Sequence, residues 1–213
     1  MPMRGRPSRE TVYQRFAAAR DDLDRFGGLP TPSEAEQICD DIWHLEAHSS
    51  TALEGNTLVL REVQVLLGEG RAVGAKALKD YVDVVGYAEA AQWVYGQAID
   101  PSGWTTGELL SLTEVRNVHR VLMAKVWEVA PQPIATEEEM PGSFREHDIH
   151  PFGGGMRPAP WSEVSGLVAD WVKEVVSLGA AIANGGVEAR AVPAELAGIH
   201  SGFERVRKLG AGA

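Results

Sequence analysis

The sequence predicts a mostly α fold with one small β-hairpin, and three observations carry that prediction. Apolar residues recur at three- and four-residue spacing in stretch after stretch, as on the buried face of a helix. Capping and breaking residues flank those stretches. The interval 131–157 lacks the helical period: it is rich in Pro and Gly, carries Glu137-Glu138-Glu139, and has a β-like run from Phe144 to Ile149.

Taken in order, Val12, Phe16, Ala19, Leu23 and Phe26 mark a first helix that Gly27-Gly28 and Pro30 end. Thr31-Pro32-Ser33-Glu34 starts the second, with Thr31 as cap, Pro32 at the first helical position and Glu34 returning a bond. Its apolar face runs through Ile38, Ile42, Leu45 and Leu53. A short helix follows over Leu60–Leu67, closing at Gly68, and a longer one from Leu78 through Val82, Val85, Ala88 and Ala91 to Val94. Asp100-Pro101-Ser102-Gly103 is a turn, and it divides the chain into an N-terminal helical region, 1–100, and a second region, 101–213. Leu112, Val115, Val118 and Leu122 open that second region with a helix. Beyond the expected hairpin, helix returns over Val164–Val175. A small-residue loop over Gly179–Val192 and a last helix from Pro193 through Leu196, Ile199, Phe203 and Val206 complete the reading.

Composition narrows the function classes. At 213 residues the chain can bury about 70% of its unfolded surface. Its 44% hydrophobic and 23% charged residues are those of an ordinary globular protein. A formal charge of −10 opposes general affinity for nucleic acid or anionic membrane, since both reward a basic face. The single cysteine, Cys39, cannot form an internal disulfide, and no signal-peptide or membrane-spanning pattern is present, so the expected localisation is cytoplasmic.

The most specific run is Ser50-Thr51-Ala52-Leu53-Glu54-Gly55-Asn56, followed by Leu60-Arg61-Glu62-Val63. It places the Glu54 carboxylate on the last turn of a helix that Gly55-Asn56 stops, where the helix dipole disfavours negative charge. The pattern S/T-x-x-x-E-G/N resembles the inhibitory motif of Fic (fido) proteins. That resemblance implies an inhibitory element of Ser50, Glu54 and Gly55, in which the glutamate holds an AMP-transferring site shut. The likeness continues through Val115-x-x-Val118-His119-Arg120-Val121-Leu122-Met123, similar to the helix that opens the family's core. Pro141-Gly142-Ser143-Phe144-Arg145, followed by Pro158-x-Pro160, resembles the flap that aligns a target protein by strand pairing, which implies target docking by Phe144, Arg145, Ile149 and His150. Leu196-Ala197-x-Ile199-His200-x-x-Phe203-Glu204-x-Val206 resembles the helix leading into the active-site loop. A departure is Val59, where related sequences often place a capping Thr opposite Glu62, at a cost of about 1 kcal/mol.

The family's loop reads H-P-F-x-D/E-G-N-G-R-x-x-R. Its histidine is the general base, its acidic residue binds the Mg²⁺ that bridges the ATP phosphates, and its glycines and arginines cradle those phosphates. After Val206 this sequence instead reads Arg207-Lys208-Leu209-Gly210-Ala211-Gly212-Ala213. Arg207 stands at the base position and cannot accept a proton at neutral pH, Ala211 replaces the metal carboxylate, and Ala213 replaces the asparagine. The expected fold is therefore a Fic-type helical core with a hairpin flap, incomplete at its C-terminus. The family reaction is transfer of AMP from ATP to a Ser, Thr or Tyr hydroxyl of a target protein. This chain is expected not to bind ATP and Mg²⁺ productively, and so to be inactive by itself. Leu196, Ile199 and Phe203 would be partly uncovered, favouring self-association into a homo-oligomer.

Two further readings stand beside it. One is a non-catalytic descendant that binds a protein partner; the other is a DNA-associated regulator using the Arg4-Gly5-Arg6-Pro7 arm, which the acidic charge opposes. Other constellations have plainer accounts. His150-Pro151-Phe152-Gly153-Gly154-Gly155 lacks the loop's carboxylate and asparagine and suits a hairpin tip. His44 and His48 lack the His-Glu-x-x-His register of a zinc helix and suit a partly exposed helix face. Cys39 reads as a small buried hydrophobe and His200 as a hydrogen-bonded core or loop-supporting residue rather than a base.

Overall fold

A computed structural model describes residues 7–28, 36–99, 110–149, 158–188 and 190–206. The described residues form seven α-helices and no strand: α1 (Arg9–Arg25), α2 (Glu36–Leu53), α3 (Leu60–Glu69), α4 (Leu78–Ile99), α5 (Leu112–Val129), α6 (Trp161–Ala183) and α7 (Val192–Val206). The chain divides into two compact units, Met1–Ile42 and Trp43–Ala213. In the first, Ser8 caps α1 by accepting from Thr11 N–H at 3.1 Å, and Gly27 and Gly28 take positive φ where that helix stops. No residue of α1 is buried.

Among its described residues, the second unit holds two apolar clusters. Ala47 of α2, Leu58 just before α3, Val63 and Leu66 of α3, and Tyr81 and Val84 of α4 make the first. Val164 and Val168 of α6, with Leu112, Val115 and Phe144 against them, make the second. Between the clusters, α4 and α5 lie backbone to backbone. A Cβ on Gly86 would stand 2.3 Å from the Leu122 carbonyl oxygen, so only glycine permits that approach. Lys125 and Glu89 pair across the same seam. Among the described residues, no helix is long and apolar enough to cross a membrane.

Sequence signals set several helix ends. Ser111 and Glu114 form a reciprocal capping box at α5: the serine accepts from Glu114 N–H at 3.2 Å and the glutamate accepts from Ser111 N–H at 2.7 Å. At α3, Val59 supplies no side-chain cap, yet Glu62 still accepts from Val59 N–H at 2.9 Å. Some boundaries differ from expectation. α3 runs past Gly68 and stops at Gly70, which takes the left-handed conformation. α6 continues through Gly179 to Ala183, because a single mid-helix glycine costs only about 1 kcal/mol. The Thr31–Glu34 start, the Asp100–Gly103 turn and the Pro151–Arg157 stretch lie outside the described residues.

The expected hairpin is corrected. Described residues 131–149 form turns and irregular backbone with no strand. The reason is that buried side chains, rather than a facing strand, satisfy this segment's backbone. Glu139 accepts from Thr136 N–H and Glu146 N–H, while Arg145 donates to the carbonyls of His147 and Ala159.

Candidate functional site

The motif segment is held on α4 from both sides. Thr51 tucks into the first core and donates back to the Ala47 carbonyl at 2.8 Å. Ser50 is half-buried and donates to the Tyr87 hydroxyl at 3.0 Å. Tyr87 in turn donates to Glu46 Oε1 at 3.0 Å, and Tyr95 donates to Glu46 Oε2 at 2.7 Å. Trp43 stacks on Tyr95 with ring centroids 6.1 Å apart. Burial, outweighing the bond from Ser50, raises the Tyr87 pKa, and the bond to Glu46 adds to the rise. For Tyr95 the bond to Glu46 comes first and burial second, and the phenol is pushed up to about 12.

Glu54 is the residue immediately after α2, not part of its last turn; its N–H bonds the Thr51 carbonyl at 3.0 Å and its side chain is exposed. Gly55 then takes φ +94°, the conformation the stop requires. Asn56 fastens the turn. Its amide donates to Asp80 O and Asp83 Oδ2, both at 2.9 Å, and its carbonyl oxygen accepts from Leu58 N–H at 3.0 Å. Thr57 bonds the Asp80 carboxylate. Burial raises the Asp83 pKa, offset in part by the Asn56 bond and nearby Lys79, with Asp80 and Glu54 adding to the rise.

The second predicted site, Phe144–His150, is anchored by α5. His119 Nδ1 accepts from Gly142 N–H at 2.9 Å, and Arg116 Nε donates to Gly142 O at 2.7 Å. Gly142 takes φ +90°, and a Cβ there would stand 3.0 Å from both Arg116 O and Arg120 Cβ. Burial drives the His119 pKa down to about 4, so the ring is neutral and free to accept at Nδ1. Arg116 also lies over the Phe144 ring, 5.6 Å from its centroid, and that ring packs on the second core.

Arg145 points inward. It is 1% exposed and lies 3.7 Å from Asp148, whose carboxylate caps α6 by accepting from Trp161 N–H at 2.8 Å. Burial depresses the Arg145 pKa, and Asp148 and Glu139 oppose that. Glu139 is fully buried and also bonds His147 Nδ1. Its burial alone would raise its pKa, but the bonds from Thr136, Glu146 and His147 bring it below the ordinary value. Ile149 is half-buried; His150 and Arg207–Ala213 lie outside the described residues. Among the described residues, no group of three or more His, Cys, Asp or Glu side chains could hold a metal ion.

Sequence reasoning missed Glu46, Tyr87, Tyr95, Glu139 and the role of His119. His119 could have been suspected: it follows Val115 by four residues and precedes Leu122 by three, on the apolar stripe of its helix.

No protein-family model and no curated protein matches the sequence. The fold does match solved structures of Fic-domain proteins. A Fic-domain-containing signaling protein from Bacteroides thetaiotaomicron VPI-5482 superposes with a TM-score of 0.67 at 19% identity, covering 94% of this chain and 66% of that one. Fic-1 (residues 134–508) from C. elegans superposes with a TM-score of 0.64 at 16% identity, covering 95% of this chain and 54% of that one. The chain thus has the fold of these Fic-domain structures, and it spans less than two thirds of the length of either of these two.

Proposed function

We propose that the chain is a Fic-type protein whose reaction class is transfer of AMP from ATP to a hydroxyl of a target protein. Residues 1–213 carry the regulatory and target-facing parts of that machinery and not its chemistry. The observation that carries this reading is the Ser50–Gly55 motif at the end of a helix, in a chain with the Fic fold. In this reading Glu54 is the inhibitory carboxylate. Phe144, Ile149 and His150 belong to the segment that docks the protein target, with Phe144 seated on the core and Arg145 as the segment's buried anchor.

The donor set for nucleotide and metal does not fit within these residues. Arg207, Ala211 and Ala213 offer no general base, no metal carboxylate and no asparagine, so no catalytic step is assigned to this chain. The test extends the chain from Val206 with a loop H-P-F-x-D-G-N-G-R-x-x-R and a closing helix, then supplies ATP and Mg²⁺. Adenylylation detected by intact mass, and several-fold stronger in Glu54→Gly, is expected. Absence of transfer by both extended forms overturns the Fic-type reading, and equal transfer by both removes the inhibitory role from Glu54.

A further inference from the structure

We propose that Glu46 is the positioning residue for Glu54: one carboxylate gripping two tyrosine hydroxyls of α4 sets where the end of α2 presents its motif glutamate. The inference rests on the inhibitory reading of Glu54 and deepens it.

Apolar packing does little to hold the C-terminal half of α2. From Trp43 to Leu53, the only buried side chains are Ala47 at 1% and Thr51 at 5% exposure, both small. Ile42 and Leu45 are about half exposed and Leu53 is 87% exposed. Apolar burial scales with area, and an alanine and a threonine methyl supply little of it.

Beside the Trp43–Tyr95 stack, polar bonds do most of the rest. Ser50, Tyr87 and Glu46 form a chain in which each hydroxyl donates to the next acceptor, and Tyr95 closes on the second carboxylate oxygen. Bonds to an ionised acceptor are the stronger kind, and a chain of them polarises each member. Both phenols are harder to ionise than a free tyrosine, Tyr87 chiefly through burial with the Glu46 bond adding, and Tyr95 chiefly through its bond to Glu46. On the far side of Glu54, Asn56 pins the turn to Asp80 and Asp83 of the same helix. Glu54 thus stands on a short strap with both ends on α4. Tyr95 is partly exposed, so the Glu46 end is open to solvent.

The test uses the full 213-residue chain with Tyr87→Phe and Tyr95→Phe together, which remove two hydroxyls and keep both rings. Hydrogen exchange is expected to speed up by about tenfold or more over residues 47–56, with α5 and α6 unchanged. Nitroxides at positions 54 and 128 should give a broadened distance distribution in the double variant, a change that a loss of overall stability alone would not produce. Tyr95→Phe by itself, with its ring already near the surface, should move both readouts in the same direction by less. Unchanged exchange and distances overturn the proposal, as does uniform acceleration across α5 and α6. In the extended polypeptide described above, the double variant should transfer AMP faster, as Glu54→Gly does. If α2 loosens while transfer ignores both changes, Glu46 still positions Glu54, and only the inhibitory reading falls.

Discussion

Replacing Gly86 with alanine tests the seam that joins the two candidate sites, since α4 carries the tyrosine grip and α5 carries the clamp on Gly142. The new Cβ would lie 2.3 Å from the Leu122 carbonyl oxygen and 3.2 Å from its carbonyl carbon. A carbon–oxygen contact normally settles near about 3.3 Å, so the helices must part by about 1 Å. The obstructing atoms are backbone, with no rotamer to yield. Overpacking of this kind costs about 1–3 kcal/mol, offset by up to about 1 kcal/mol of helix propensity that alanine regains. Gly166 of α6 is the internal control, because a Cβ there meets nothing within 4 Å. Gly166→Ala should therefore stabilise by about 0.5–1 kcal/mol. In a domain of this size each kcal/mol moves Tm by about 2–4 °C. Thermal unfolding followed by circular dichroism should show Tm falling for Gly86→Ala and rising for Gly166→Ala. If Gly86→Ala is as stable as Gly166→Ala, the α4 and α5 backbones do not meet at Gly86 and Leu122 as described.

Three further outcomes are expected. His119 keeps a folded pKa of about 4 against an ordinary 6.5, so the unfolded chain takes up its proton first as pH falls. Its contribution, about 3 kcal/mol, is present above pH 6.5 and lost as pH drops toward 4; urea unfolding should show that loss, and His119→Gln should flatten it. Glu139→Gln keeps one acceptor oxygen and puts an NH2 donor against one of the two backbone N–H groups from which the buried carboxylate now accepts, and should cost about 2–4 kcal/mol in urea unfolding; a loss under about 0.5 kcal/mol would show that Glu139 does not organise the segment. The 213-residue polypeptide, incubated with ATP, Mg²⁺ and candidate targets, should add no AMP by intact mass; a robust mass gain would place catalytic groups within these residues.

Much of the helical plan was legible because it depends on local rules. Apolar spacing located the helices, Ser111 with Glu114 carries its own start signal, and Gly55 can take the positive φ that ends the α2 segment. The motif glutamate was likewise visible as a residue type at a fixed offset from Ser50. The stretch around Arg145 misled, because a β-like composition does not reveal whether backbone groups find a strand or a side chain. Here Glu139 and Arg145, both buried, take that place. The grip of Glu46 on Tyr87 and Tyr95 joins residues 41 and 49 positions apart, a pairing no local pattern encodes. His119 shows the division most plainly. Its place on an apolar stripe is sequence information, but its neutral ring and its bond to Gly142 exist only because packing removes water from around it. Local periodicity and capping chemistry are written in the order of residues. Long-range hydrogen bonds and desolvation arise only when distant segments share one interior.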